Sequence, residues 1–352
     1  MNISPSYLIN NHPNMIKRKW LELSVKRALT SQVGRELLII HSPCILNLGW
    51  LQEWMDLLHK RNINVCSYML NGEPHWHDLI ECRSKVGPRT RVWGIGGGSV
   101  MDLAKLASTE ISECDHKMDF IHPKKLIQKQ RVWLFPTHYS SSAYVSSSAT
   151  LIRHEQKISG LGLKAEKVFI DPNVLKSIPK EAWVYGSIDI VSHFVEILCS
   201  TNPSNSLRMM SLNGWWDDYM NALEIHDYES LFYLAAFLYS GLFELHSITW
   251  PVHHLAHELG PKLELGHGAT LALILPLFLR ARIQNPLYEK QQNLLTSVNN
   301  WINLQSISSL NEEQSIIFDH LSLWSQQNWF DPDESFDGFE FKRYLMAQID
   351  FD

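Results

Sequence analysis

Paired cysteines are missing from this sequence. The five cysteines, Cys44, Cys66, Cys82, Cys114 and Cys199, form no C-x-x-C pair, and their number is odd. A disulfide framework is therefore not expected, and reduced thiols are the simpler reading. A basic excess is missing too: 31 Lys and Arg stand against 37 Asp and Glu, a formal net charge of −6. A nucleic-acid partner, which usually meets a basic surface, is not expected. No run of about 18 apolar residues occurs, so neither a transmembrane helix nor a membrane partner is expected. Met1–Asn14 is polar, is broken by Pro5 and Pro13, and lacks the apolar core of a signal peptide. These absences together lead us to expect a cytoplasmic protein. Internal repeats and low-complexity segments are also lacking.

What is present is ordinary globular material. Of 352 residues 45% are hydrophobic and 19% charged, enough for two domains. The thirteen tryptophans read as large core residues. The first half alternates between strand and helix signals. Leu37–Ile40 is a short apolar run, Trp50–Arg61 has helical spacing, Asn62–Tyr68 reads as a strand and His75–Lys85 as a helix. Arg91–Ile95 is a third strand, Ser99–Ser108 a helix and Val132–Phe135 another strand. Such alternation predicts a Rossmann-like parallel sheet covered by helices.

After Asp171-Pro172 strand signals nearly vanish. Helical patterns follow over Pro179–Cys199, Leu207–Ile225, Tyr228–Trp250, His253–Leu259 and Thr270–Ile283. The expected organisation is an α/β dinucleotide-binding domain over residues 1–175 and an all-helical metal-binding domain over residues 176–352.

Two patterns carry chemistry. The run Gly96-Gly97-Gly98-Ser99-Val100-Met101-Asp102-Leu103-Ala104-Lys105 follows a strand and opens a helix. Glycines let backbone approach a phosphate, and a helix N-terminus offers unpaired N–H groups and a positive dipole end. A glycine triplet alone could equally be a tight turn. In the second half, Asp189 and His193 are spaced i, i+4, which puts both on one helix face. His253 and His257 repeat that spacing, and His267 follows ten residues later. One carboxylate with several imidazoles suits a divalent ion such as Fe²⁺ or Zn²⁺. Any single histidine here is more simply a core or surface residue; it is the clustering that points to a metal.

In combination these segments resemble the iron-containing alcohol dehydrogenases, and the butanol-dehydrogenase-like branch in particular. Gly96 to Lys105 is similar to that family's GGGSxxDxAK turn, Asp189-x3-His193 to its first ligand pair, and His253-x3-His257-x9-His267-Gly268 to its second histidine block. The resemblance runs from about residue 37 to residue 276. It implies a dehydroquinate synthase-like fold and a metal-dependent, NAD(P)-linked oxidoreductase that moves hydride between nicotinamide and a small alcohol or aldehyde. It also implies that Asp189, His193, His253 and His267 hold the metal. His257 would be a catalytic proton relay and not a ligand. Cofactor contacts would come from Gly96, Gly97, Gly98, Ser99 and Asp102, from Thr137, His138, Ser140 and Ser141, and from Lys157. A homodimer is expected.

One segment departs from the family pattern. Its PTTAGTGSEVT stretch is here Pro136-Thr137-His138-Tyr139-Ser140-Ser141-Ser142-Ala143-Tyr144-Val145-Ser146, without either glycine or the acidic residue. Serine hydroxyls still donate to phosphate, but lost glycine freedom could reshape the loop. Cofactor choice is read from the end of the first strand. Ser42 stands where NAD-preferring members carry an Asp, and His41 beside it could add positive charge. The missing carboxylate predicts NADP(H) over NAD(H), although Ser42 could simply begin a turn before Pro43. Two alternatives stay open: a relative acting on a phosphorylated polyol or sugar (glycerol-1-phosphate dehydrogenase or dehydroquinate synthase-like), and a non-catalytic relative.

Overall fold

The computed structural model describes residues 15–17, 36–47, 50–110, 124–154, 156–201, 205–239, 250–261 and 265–305. The expectations for Met1–Asn14, for Cys114 and for part of Tyr228–Trp250 lie outside these residues. The chain divides into two compact units, Met1–Ile178 with Ala222–Tyr239, and Pro179–Asn221 with Ser240–Asp352.

The first unit is built on a six-stranded sheet. Its strands are β1 (Met15–Lys17), β2 (Glu36–His41), β3 (Asn64–Met69), β4 (Thr90–Gly96), β6 (Val132–Pro136) and β9 (Lys167–Ile170). Their order is β3-β2-β4-β6-β9-β1, and every neighbouring pair is parallel. Parallel strands are covered on both faces and read as continuous apolar runs. Accordingly Leu37–Ile40 on β2 and all of β4 and β6 are buried. Helices α1 (Pro43–Asn47), α2 (Trp50–His59), α3 (Trp76–Ser84) and α4 (Gly98–Ala107) connect the strands. Several tryptophans do fill this core. Trp54 of α2 lies edge-on to Trp93 at 6.1 Å, and Trp93 stacks on Trp133 at 5.6 Å.

Strand order reverses at β2. The chain steps from β2 to β3 on one side, then returns to β4 on the other. The carboxyl ends of β2 and β4 thus flank a topological switch point, where open α/β sheets leave a crevice for ligands. Both the Gly96–Gly98 turn and Ser42 sit there, and the Ser42 N–H donates to the Ile95 carbonyl at 3.2 Å.

A second, three-stranded sheet has the order β5-β8-β7, from β5 (Lys124–Lys125), β7 (Ser148–Arg153) and β8 (Gln156–Leu161). The sequence pattern did not anticipate it. The β7–β8 hairpin turns through His154 at φ +49 without a glycine or an Asn-Gly pair, so the usual turn signal is missing. Helix α7 (Tyr228–Leu238) belongs with the first unit. Phe232 packs against Tyr139 and Tyr144, and the Tyr144 hydroxyl is 3.3 Å from the Phe232 carbonyl.

The second unit is helical among its described residues: α5 (Lys180–Ser200), most of α6 (Ser206–Glu224), α8 (Pro251–Leu259), α9 (His267–Gln284) and α10 (Gln292–Asn303). By length and composition α5 is apolar enough to cross a membrane, which the search for unbroken apolar runs did not foresee. Its residues from Ile188 to Leu198 are nearly all buried inside the unit, as in a core helix, and its polar members are Asp189, Ser192, His193 and Glu196. The four described cysteines, Cys44, Cys66, Cys82 and Cys199, are free thiols.

Candidate functional site

The helical unit brings Asp189, His193 and His253 together, each offering a ligand atom, all within 4.8 Å of one another. Asp189 and His193 share one face of α5. His253 lies in the first turn of α8, and His267 is the first residue of α9. Asp189 Oδ1 is 3.4 Å from His253 Nε2 and 4.0 Å from His267 Nε2. His193 Nδ1 donates to the Asp189 carbonyl at 3.0 Å, so in the neutral ring the lone pair is on Nε2.

Local sequence explains the convergence. Gly268 allows α9 to approach α5, since a Cβ there would lie 2.8 Å from the Tyr185 Cβ. Pro251 suits the first turn of α8, where a missing N–H costs nothing. Trp250, just before it, adopts a left-handed backbone with φ +54. A bulky residue in that region stores strain of about 1–3 kcal/mol. Its ring stands edge-on to His193 at 5.5 Å and to His253 at 5.9 Å.

The donor set suits a divalent cation. Burial and the neighbouring His253 hold His193 well below the usual imidazole range, with His267 adding to the effect against Asp189. The ring is therefore neutral, the form that binds metals. Burial also pulls His253 down, but Glu196 and Asp189 outweigh it and raise its pKa to about 9. Two carboxylates facing one ring favour positive charge at this point. With neutral imidazoles their combined charge matches a divalent ion.

His257, one turn after His253 on α8, lies beside the cluster. Its ring stacks on His267 with centroids 4.6 Å apart and is 6.5 Å from His253. The sequence reading missed Glu196. It lies seven residues after Asp189 on the same face of α5, fully buried, with an oxygen on the His253 ring. The available signal was a single carboxylate inside the apolar run Phe194–Leu198.

In the sheet unit, the glycine turn caps α4. A Cβ on Gly96 would strike Val100 at 2.8 Å, and one on Gly98 would come within 2.5 Å of Ser141 Oγ. Gly97 caps α4 and has nothing within 4 Å of its Cβ direction. The backbone is thus open at Gly97, while Gly98 lies close against Ser141 Oγ. Ser141 Oγ accepts from the Ala143 N–H at 3.1 Å, so its proton is free to donate. Thr137 is tied to the turn by its N–H on the Gly96 carbonyl at 2.9 Å. No residue from Thr137 to Ser147 has a positive φ. The backbone of this loop therefore requires no glycine, and buried Tyr139 and Tyr144 support it.

Other expected cofactor residues already have protein partners. Asp102 Oδ2 accepts from the Thr150 N–H and hydroxyl, both at 3.0 Å, while Oδ1 is 3.5 Å from Lys105 Nζ. Lys105 is wholly buried and donates to the Ser148 carbonyl. His138 Nδ1 receives the Ser140 N–H at 3.2 Å, with the Ser140 hydroxyl 3.0 Å away. Lys157 Nζ is 2.6 Å from Glu73 Oε2. At the end of β2, Ser42 Oγ is 2.9 Å from Cys44 Sγ. His41 is buried, and burial lowers its pKa. Burial therefore works against the positive charge that its sequence position suggested.

The first unit thus has a parallel sheet with a glycine turn at its switch point, and the second has a carboxylate–imidazole cluster. Residues 15–172 match the iron-containing alcohol dehydrogenase family model. Over those residues the chain is similar to that family. It is 25% identical over 267 residues to long-chain-alcohol dehydrogenase 1 of Geobacillus thermodenitrificans, covering 69% of this chain and 65% of that protein. It is 25% identical to 4-hydroxybutyrate dehydrogenase of Clostridium kluyveri, over 63% of this chain and 62% of that protein. These matches span less than two thirds of either relative's length. The fold is that of NADH-dependent butanol dehydrogenase A of Thermotoga maritima, with a TM-score of 0.75 at 19% identity, over 95% of this chain and 96% of that one.

Proposed function

We propose that this chain is a metal-dependent, NAD(P)-linked alcohol dehydrogenase or aldehyde reductase acting on a small alcohol or aldehyde. The observation that carries the reading is the convergence of Asp189, His193, His253 and His267 from three helices. These four residues would hold Fe²⁺ or Zn²⁺. When bound, such an ion supplies Lewis acidity towards a carbonyl or alcohol oxygen, and nicotinamide supplies or takes the hydride. Asp189 and the three imidazoles fix where that oxygen sits. His257, held parallel to His267, moves the proton that the alcohol oxygen gains or loses. The N-terminus of α4 binds the cofactor's pyrophosphate through backbone N–H groups, and the Ser141 hydroxyl adds a donor.

For the cofactor we assign NADP(H) over NAD(H). Ser42 closes β2 with a neutral hydroxyl, so no carboxylate repels a 2′-phosphate there. Burial disfavours a charge on its neighbour His41, so the assignment rests on Ser42. Among the relatives, the butanol dehydrogenase of Thermotoga maritima carries NADH in its name, which makes the choice worth measuring directly.

The test is aldehyde reduction by purified protein before metal removal, after chelation, and after return of Fe²⁺ or Zn²⁺, with NADPH and NADH in parallel. Activity lost on chelation and restored by one of the ions is expected. Full activity in metal-free protein would refute the reading.

A further inference from the structure

We propose that Glu196 is a positioning residue for His253, holding its ring in the tautomer whose Nε2 lone pair faces Asp189. The inference rests on the metal-centre reading and adds a residue to it. The Glu196 side chain has no solvent exposure. Its Oε1 accepts the Val252 N–H at 2.7 Å and the His253 N–H at 3.3 Å. These are amides of the first turn of α8, which no intrahelical carbonyl can satisfy. Its other oxygen, Oε2, meets His253 Nδ1.

The two oxygens do different things. A carboxylate has no proton to give, so the proton in the Oε2 contact belongs to Nδ1. In the neutral ring, the form that binds a metal, Nε2 is then the nitrogen left with a lone pair, and it lies 3.4 Å from Asp189 Oδ1. Ser192 Oγ is 3.5 Å from Nε2 but donates its proton to the Asp189 carbonyl at 2.7 Å, so it does not claim that lone pair. Imidazole ligands are commonly fixed in this way by a carboxylate on the far nitrogen, and losing it costs about 10–100-fold in metal affinity.

Glutamine separates this role from simple helix capping. In Glu196→Gln the amide oxygen can still accept the two backbone N–H groups. The NH₂ then faces Nδ1 as a donor and moves the ring proton to Nε2, the wrong tautomer for binding. The reverse orientation points NH₂ at two N–H donors. Zinc affinity is measured on full-length wild type and Glu196→Gln by competition with a chromophoric chelator, alongside the thermal midpoints of both metal-free proteins. The expected result is zinc binding about 10–100-fold weaker in the variant, with a folded metal-free protein. Should the variant not fold, ¹⁵N-histidine NMR of zinc-loaded wild type decides: His253 is expected to carry a proton on Nδ1 and zinc on Nε2. Equal zinc affinity in the two proteins, or zinc on Nδ1 of His253, overturns the proposal and leaves the metal centre standing. Wild type that binds no zinc and no Fe²⁺ removes the metal centre itself, and this role with it.

Discussion

In the helical unit, Asp189 and the imidazoles of His193, His253 and His267 aim their donor atoms at one another. In the sheet unit, Asp102 already holds Thr150 and Lys105, and Lys157 holds Glu73. Both sets were singled out in the sequence as ligand-binding, yet their side chains are differently committed. The cluster on α5, α8 and α9 brings one carboxylate and three imidazoles close together. The charged residues after the glycine turn are paired within the sheet unit, so the proposed cofactor contacts there fall to backbone amides and hydroxyls. A motif position can thus serve a ligand through the chain it braces as well as through the atoms it presents.

Removing the cation should have the largest effect on this contrast. His267→Ala should bind far less metal, and chelation should abolish turnover; metal analysis of the purified variant beside wild type checks the first, and a rate assay the second. Next in size is His257→Gln. A proton-relay residue contributes about 10²–10⁴-fold to rate, so turnover should fall by that much while bound metal stays near the wild-type level. Loss of metal from this variant would make His257 a ligand.

The sheet unit should respond in stability. Asp102→Asn leaves the buried Lys105 without its counter-charge, and breaking such a pair costs about 3–5 kcal/mol. Urea unfolding should show this loss. An equally stable Asp102→Asn protein with weakened cofactor binding would instead place Asp102 among the direct cofactor contacts. The smallest effect expected is at Ser42. A carboxylate introduced by Ser42→Asp should shift preference from NADPH towards NADH by about tenfold, or roughly 1.4 kcal/mol, in matched titrations. Tighter NADH than NADPH binding in wild type would contradict the assignment.

Much of this layout was legible in the sequence because its signals are local. The apolar runs at Leu37–Ile40 and Arg91–Ile95 became β2 and β4, and the glycine turn does open a helix at Gly98. The i, i+4 spacing of Asp189 and His193 needed only helical geometry to place both on one face. What stayed hidden depends on partners distant in sequence. Nothing in Tyr228–Leu238 says that it packs with the sheet unit, because an apolar helix pattern does not name the surface that it covers. Glu196 was hidden because its partners, the first amides of α8 and the His253 ring, lie some 56 residues further along the chain. The β7–β8 hairpin lacked a turn signal, since His154 supplies the positive φ. The roles of Asp102 and Lys157 were open for the same reason: Thr150 and Glu73 are remote, and only folding brings them near.

The central claim is that Asp189, His193, His253 and His267 enclose one divalent ion. Anomalous diffraction from crystals grown with Fe²⁺ or Zn²⁺, recorded at the metal's absorption edge, tests it most directly. One peak is predicted, about 2.0–2.2 Å from an Asp189 oxygen and from a nitrogen of each histidine. A fully occupied peak elsewhere, with none among these four residues, would contradict the account.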